Sequence, residues 1–137
     1  MSVNRVFVDT NILIYAYSSD NPTKQKVALT YLDKCIPVIS TQVVKEFSNV
    51  LLKRENIDVD ALRDIIIELT EVSETTGVDI EQILSALELK KRYQYSFYDC
   101  LVISAALDSN CKVLLSEDMQ NGQIIGGKLQ IMNPFAN

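Results

Sequence analysis

Apolar and polar positions along the chain form blocks that predict short buried strands separated by helices. Most residues are apolar in three segments of strand length, Val3–Val8, Ile36–Ser40 and Lys112–Leu115. Between these segments, apolar residues recur at three- and four-residue spacing, which is the period of a helix with one buried face. Strands and helices in this alternation predict an α/β fold with a mainly parallel sheet.

Helix boundaries are indicated by residues that favour the first turn. Pro22 suits the first helical position, Thr41 can cap the following helix, and Asp58 or Asp60 can begin another. The pattern also predicts a helix that starts over Ile12–Tyr17, an extended stretch near Val72, helices around Ile80–Leu87 and over Phe97–Leu107, and a last strand at Gln130–Met132.

The composition favours an ordinary globular protein. The chain has 137 residues, of which 47% are apolar, so we expect one domain, residues 1–137, with a hydrophobic core. No apolar run approaches the ~20 residues of a membrane helix, and the first residues do not resemble a signal peptide. Cys35, Cys100 and Cys111 form no CxxC pair, which indicates reduced thiols in a cytoplasmic protein that has no membrane partner.

The chain contains no histidine, and this absence excludes much catalytic chemistry. A Ser-His-Asp triad, an HExxH zinc site and histidine acid–base catalysis are ruled out. Catalysis must depend on carboxylates, other side chains or a bound metal. The net charge of −5 has the wrong sign for general attraction to nucleic acid, so such a substrate would require basic patches or bound cations.

Two acidic residues follow predicted strands, at the edge of a parallel sheet where ligands bind. Asp9 follows the first strand directly, and Asp118 comes shortly after the strand that ends at Leu115. Asp9 can also cap the next helix, as can Thr10 or Asn11. Asp118 lies in a segment of turn composition and can belong to a surface turn.

Two further acids lie on predicted helices. Glu46 lies at the margin of an apolar stripe, where it can also be an exposed residue paired with a lysine. Asp99 lies in a helix that is apolar nearly all round, and Ser96 precedes it at capping-box spacing. Because burying an unpaired carboxylate costs several kcal/mol, we expect Asp99 near the helix N-terminus, a cation or solvent.

The four acids together predict a metal site. Two follow strands of one sheet and two lie on helices that should pack on it, so their side chains are expected to converge. Converging carboxylates repel one another unless a cation lies among them, and oxygen ligands suit Mg²⁺ or Mn²⁺. The predicted metal-binding and catalytic residues are Asp9, Glu46, Asp99 and Asp118, with Asp9 and Asp99 as the main ligands.

The acids lie in four motifs: Phe7-Val-Asp-Thr-Asn-Ile-Leu-Ile-Tyr-Ala-Tyr17, Ile39-Ser-Thr-Gln-Val-Val-Lys-Glu-Phe-Ser-Asn-Val50, Tyr98-Asp-Cys-Leu-Val-Ile-Ser-Ala-Ala106 and Val113-Leu-Leu-Ser-Glu-Asp-Met-Gln-Asn-Gly122. With these motifs in this order, the chain resembles PIN domains, and more narrowly the single-domain PIN ribonucleases of the VapC type, which are toxins of toxin–antitoxin pairs. The resemblance runs nearly end to end. One departure is Ser116, where the family often has Thr, and this change keeps the hydroxyl group.

The resemblance implies a three-layer α/β/α sandwich around a parallel sheet of four or five strands, with the acids at its carboxyl edge. It implies endonucleolytic cleavage of RNA with one or two Mg²⁺ or Mn²⁺ ions, a homodimer, and a small antitoxin protein that covers the acidic pocket. Thr10, Asn11 and Ser116 are expected to orient the ligands. Glu46 is a candidate for accepting the proton.

Basic residues near the acids are candidate RNA contacts. They are Lys45 and the run Lys90, Lys91 and Arg92, which precedes Tyr93, Tyr95 and Phe97. The run can contact phosphates while a ring stacks on a base, or it can be a solvated helix end. Apolar positions around Leu62–Leu69 and Ile80–Leu87 exceed what a thin covering layer needs and predict a homodimer surface.

Other functions fit the sequence less closely. A housekeeping PIN nuclease would differ from a toxin in its partner, and a catalytically silent PIN-fold scaffold or RNA-binding module would not need all four acids. A phosphotransfer hydrolase of the haloacid-dehalogenase type would use Asp9 as nucleophile. It would also require a second Asp two residues later, where this chain has Asn11.

Overall fold

The computed structural model describes residues 4–136, in which strands and helices follow one another largely as the apolar pattern predicts. In chain order the elements are β1 (Arg5–Val8), α1 (Thr10–Tyr17), α2 (Pro22–Asp33), β2 (Ile36–Ser40), α3 (Thr41–Lys53), α4 (Val59–Val72), β3 (Glu74–Thr76), α5 (Ile80–Arg92), α6 (Phe97–Asp108), β4 (Val113–Leu115), β5 (Ile124–Ile125) and β6 (Leu129–Met132).

The strands form one sheet in the order β3-β2-β1-β4-β6-β5. Neighbouring strands are parallel except β5, which runs antiparallel to β6. The sheet therefore has one strand more than the four or five expected. The additional strand, β5, belongs to a hairpin whose turn contains Gly126 and Gly127 at φ 59° and 68°, a conformation that favours glycine.

The helices lie in two layers because the chain reverses its direction across the sheet. The connections from β1 to β2 and from β2 to β3 each move to the next strand in the same direction across the sheet. Because such crossovers are right-handed, they put α1–α4 on one face. The connection from β3 to β4 steps back past β1 and puts α5 and α6 on the other face. The contacts among the helices agree, since α1 packs on α2 and α3, and α5 packs on α6. The predicted α/β/α sandwich is confirmed.

Most predicted elements are confirmed within one or two residues, and two boundaries need correction. The cap of α3 is Ser40, whose Oγ accepts from the Val43 N–H at 3.2 Å, and Thr41 is the first helical residue. Asp58 caps α4. Val72 ends α4, and the extended stretch predicted there is β3. Val3, predicted as the start of the first strand, lies outside the described residues.

The strands that lead to the candidate site are buried in the hydrophobic core. Phe7 and Val8 of β1 are fully buried, as is Leu114 of β4, and every residue of Cys100–Ala106 in α6 is buried. The prediction that α6 is apolar nearly all round is therefore confirmed. Among residues 4–136 there is no helix with both the length and the hydropathy of a membrane span.

Candidate active site at the carboxyl edge of the sheet

Asp9 lies at the carboxyl end of the central strand and is 6% exposed. Its backbone N–H donates to the Leu115 carbonyl at 3.0 Å, which ties it to the end of β4. Its Oδ1 accepts from the Thr10 N–H at 2.8 Å, and its Oδ2 accepts from the Ser116 hydroxyl at 2.8 Å. Asp9 therefore caps α1 and is also held between two strand ends.

The environment of Asp9 opposes its ionisation. Burial raises the pKa of Asp9 to about 6, hydrogen bonds from Ser116 and Thr10 lower it, and the charges of Asp99 and Glu46 raise it further. Asp99 and Glu46 are thus near enough for their charges to act on Asp9. A cation in this region would relieve the repulsion.

Asp99 lies in the first turn of α6, and Ser96 caps that helix. The Ser96 Oγ accepts from the Asp99 N–H at 3.1 Å, so the capping contact predicted from the spacing is confirmed. Partial burial raises the pKa of Asp99, interactions with Ser96 lower it, and the charges of Asp118 and Glu46 raise it. Asp99 therefore lies within electrostatic reach of the other acids.

Hydrogen bonds hold the remaining two acids. Glu46 on α3 accepts from the Gln42 Nε2 at 2.8 Å and from the Thr10 Oγ1 at 3.2 Å. Asp118, in the loop after β4, is exposed and accepts from the Asn11 Nδ2 at 3.0 Å. Thr10, Asn11 and Ser116 thus each donate a side-chain hydrogen bond to a different acid.

The donor set fits a water-rich magnesium site but not a closed metal cage. In residues 4–136, no three acidic or thiol side chains are arranged to hold one ion together. Mg²⁺ usually keeps several water ligands and binds through one or two carboxylates and the phosphate of a substrate. Asp9 and Asp99 would provide the oxygen donors for such a site. Burial is the main cause of their raised pKa values, and the charges of neighbouring acids add to it.

A cluster that no sequence pattern predicted fixes the segment before Asp118. The Tyr15 hydroxyl donates to the Glu117 Oε1 at 2.8 Å, and Lys24 forms an ion pair with the other oxygen of Glu117. The Lys24 Nζ also lies 4.8 Å from the centre of the Tyr15 ring. We call Tyr15, Lys24 and Glu117 the Glu117 cluster.

The Glu117 cluster distinguishes Glu117 from the acids of the candidate site. Partial burial acts to raise the pKa of Glu117, but hydrogen bonds from Lys24 and Tyr15 outweigh it and hold the pKa below its usual range. The Glu117 N–H donates to the Asn11 Oδ1 at 3.2 Å, while the amide of Asn11 holds Asp118. Glu117 is therefore neutralised by Lys24 and helps to position Asp118.

The candidate RNA contacts lie on exposed surfaces. Lys90, Lys91 and Arg92 are exposed at the end of α5, and Lys45 is exposed one residue before Glu46. The aromatic residues after the basic run take part in the fold: the Tyr93 hydroxyl accepts from the Gly126 N–H at 3.2 Å, the Tyr95 hydroxyl accepts from the Gln120 N–H at 3.1 Å, and Phe97 packs against the core. Tyr98 is the exposed aromatic residue of this segment.

A model of the PIN domain family matches residues 6–120, which include all four acids. A comparison with curated protein sequences finds no significant match.

Several solved structures have a similar fold. A toxin–antitoxin complex from Klebsiella pneumoniae has a TM-score of 0.72 at 16% identity, and the match covers 95% of this chain and 98% of that chain. VapC20 from Mycobacterium tuberculosis, a sarcin–ricin loop cleaving toxin, has a TM-score of 0.67 at 19% identity over 80% of this chain and 86% of that chain. DNA-bound VapBC from Salmonella typhimurium has a TM-score of 0.69 at 12% identity over 96% and 98%. At these identities, the likeness concerns the fold.

Proposed function

Because the chain belongs to the PIN domain family, we propose that it is a Mg²⁺- or Mn²⁺-dependent endoribonuclease and the toxin of a toxin–antitoxin pair. The observation that supports this most directly is that Asp9 lies at the end of the central strand and that the next two residues of the chain bind two other acids. Thr10 donates to Glu46, and Asn11 donates to Asp118. Oxygen donors that repel one another at the carboxyl edge of a parallel sheet suit a divalent cation and a phosphate substrate.

The chain's residues would divide the work of phosphodiester hydrolysis. Asp9 and Asp99 would hold the ion, with Asp118 completing the acidic edge. A bound Mg²⁺ or Mn²⁺ supplies positive charge at the scissile phosphate and makes a water molecule more acidic. Glu46, held by Gln42 and Thr10, would accept the proton of the attacking water.

The proposal is tested by mapping cleavage of total cellular RNA with the purified protein in Mg²⁺, in Mn²⁺ and in EDTA. We expect discrete cuts that require the metal and disappear in the Asp9→Asn variant. Cleavage that persists in EDTA would contradict metal dependence. A wild-type protein that binds Mg²⁺ but cuts no RNA with either metal would favour the catalytically silent PIN-fold module instead.

If the chain is a toxin of this type, it also has an antitoxin partner and acts in the cytoplasm. The similar structures include a toxin–antitoxin complex and a cleaving toxin, which supports a small antitoxin as a partner of this chain. We propose that this antitoxin covers the acidic pocket with a basic side chain. Three free thiols, on Cys35, Cys100 and Cys111, suit the reducing cytoplasm. An antitoxin-like reading frame beside this gene would support the toxin, and its absence would favour a housekeeping nuclease.

Ser116→Ala is expected to lower cleavage roughly 10- to 100-fold near neutral pH. The substitution removes the hydroxyl that donates to the Asp9 Oδ2 at 2.8 Å and opposes the upward shift of the Asp9 pKa. The Asp9 pKa then rises further, so the acid limb of the pH–rate profile moves to higher pH. Ser116→Thr restores a hydroxyl and is the matched control. An unchanged acid limb in Ser116→Ala would contradict the coupling between Ser116 and Asp9.

A homodimer is proposed through the exposed face of α5. The sequence predicts one such surface around Leu62–Leu69 and Ile80–Leu87, but Leu62 and Leu69 of α4 are buried in the core. Ile80, Leu84 and Leu87 of α5 remain exposed at helical spacing. We expect light scattering at micromolar concentration to give a dimer mass, and Leu84→Glu to give a monomer. A monomeric wild-type protein would contradict the proposal.

A further inference from the structure

We propose that Tyr98 is a stacking platform for an unpaired nucleobase of the RNA, next to the phosphate that is cleaved. This inference rests on the proposed ribonuclease function and adds the way in which the substrate is held. It gives a binding role to a side chain that belongs neither to the acids nor to the basic run.

Tyr98 is exposed although its helix is largely buried. Its side chain is 63% exposed, whereas every residue of Cys100–Ala106 in the same helix is buried. Phe97 packs at a steep angle against the Tyr98 ring, with ring centroids 5.6 Å apart and an interplanar angle of 66°. This neighbour restricts the ring of Tyr98 and leaves most of its surface free for a flat partner.

The backbone of Tyr98 is joined to two of the acids. Asp99 is the next residue, and the Tyr98 carbonyl accepts from the Gln42 Nε2 at 3.5 Å. The same amide nitrogen donates to the Glu46 Oε1 at 2.8 Å. Tyr98 therefore lies on the rim of the acidic site, where a base next to the bound phosphate would come within its reach.

The charge of the protein explains why a ring is needed at this position. The net charge is −5, and the acids would repel the phosphates on either side of the one bound through a cation. Stacking of a base on an aromatic ring does not depend on charge and accepts any base. The hydroxyl groups of Tyr93 and Tyr95 hold the 120–126 segment, and Phe97 packs against the core. Tyr98 is the ring of this segment that can accept a base.

The test measures binding, in Mg²⁺, of short single-stranded RNAs of mixed sequence, each with one 2-aminopurine, to protein that carries Glu46→Gln. This variant lacks the proposed proton acceptor, so it should not cleave the RNA, and it keeps Asp9 and Asp99 to hold the ion. In this background, Tyr98→Ala is expected to raise Kd roughly 5- to 150-fold and to remove the fluorescence quenching that stacking causes. Tyr98→Phe keeps the ring and should bind like the parent. The dependence of Kd on salt should not change, because no phosphate contact is lost.

Two comparisons make the test specific. If the basic run contacts phosphates, replacing Lys90, Lys91 and Arg92 together with Ala should lower the salt dependence of Kd. Tyr98→Ala should leave that salt dependence unchanged. Tyr31→Ala removes a ring that is 37% exposed near the end of α2, where the chain leads to the amino end of β2, and should change neither Kd nor quenching. Circular dichroism and Tm should confirm that Tyr98→Ala folds, since the cap at Ser96 is retained.

Each outcome decides the inference. Weaker binding with lost quenching in Tyr98→Ala, and parent-like binding in Tyr98→Phe, support the stacking platform. Unchanged affinity and quenching in Tyr98→Ala overturn the stacking platform and leave the ribonuclease proposal intact. This result is expected if Tyr98 contacts a protein partner instead of the RNA. Failure of the wild-type protein to cleave any RNA, together with failure of the parent to bind any, overturns both.

Discussion

Asp9→Asn is expected to abolish metal-dependent RNA cleavage and, without metal, to make the protein more stable at neutral pH. Asparagine has the shape of aspartate, and its amide can accept from the Thr10 N–H and donate to the Ser116 hydroxyl, where Asp9 now accepts from both. The fold should therefore survive while the charge that binds the cation is lost. We expect activity to fall by at least the roughly 10²–10³-fold that the loss of one preorganised electrostatic group costs.

The gain in stability follows from the raised pKa of Asp9. Burial raises this pKa from 3.8 to about 6, so the folded protein binds the proton more tightly than the unfolded chain does. This contribution to stability is full below the unfolded pKa and is lost as pH rises through about 6. At neutral pH the ionised carboxylate then costs about 3 kcal/mol, which corresponds to about 10 °C in Tm.

Thermal unfolding in EDTA across a range of pH tests this expectation. The Tm difference between Asp9→Asn and the wild-type protein should be small near the unfolded pKa and should grow as pH rises through about 6. Added Mg²⁺ should stabilise the wild-type protein more than the variant and reduce the difference. A variant that is less stable than the wild-type protein at neutral pH without metal would show that the carboxylate stabilises the fold.

Asp99→Asn should impair cleavage about as strongly as Asp9→Asn, but it should change the stability by no more than about 1 kcal/mol. Asp99 is only partly buried, and the charges of Asp118 and Glu46 act with burial to raise its pKa. Removing its charge relieves that repulsion. It also removes a carboxylate from a helix N-terminus, where a negative charge contributes about 0.3–1 kcal/mol. The two effects oppose each other.

Cleavage rates and Tm values of the two variants, measured side by side, separate the roles of the two acids. Asp108→Asn is a matched control, because Asp108 ends the same helix and bonds to the Gln82 Nε2 at 2.9 Å, remote from the acids. Its cleavage rate should equal that of the wild-type protein. Full activity in Asp99→Asn would remove Asp99 from the metal site.

The local pattern was sufficient to predict the elements that carry the acids. Apolar runs of strand length and helical spacing located β1, β2 and α6, and capping residues located the starts of α2 and α6. The two-residue strand β5 escaped prediction because so short a segment carries no period. Ser40 was missed as a cap because two hydroxyl residues, Ser40 and Thr41, stand side by side and either can serve.

Contacts within the candidate site were predictable only where they are close in sequence or follow from the order of the strands. Gln42 lies one helical turn before Glu46, so the contact between them is a local one that could have been predicted. The contact of Asp9 with Ser116 follows once β1 and β4 are known to be neighbours. The ion pair of Lys24 with Glu117 joins residues from α2 and the loop after β4, and no local pattern indicates it.

The place of β1 at the centre of the sheet affects the order in which a newly made chain can assemble. β1 pairs with β2 early in the sequence, but its other edge stays open until β4 has been synthesised. The backbone N–H of Asp9 bonds to Leu115, and the Asp9 carboxylate bonds to the hydroxyl of Ser116. A ribosome that is still translating thus carries a chain whose acidic edge is incomplete, because Ser116 follows Asp9 by 107 residues.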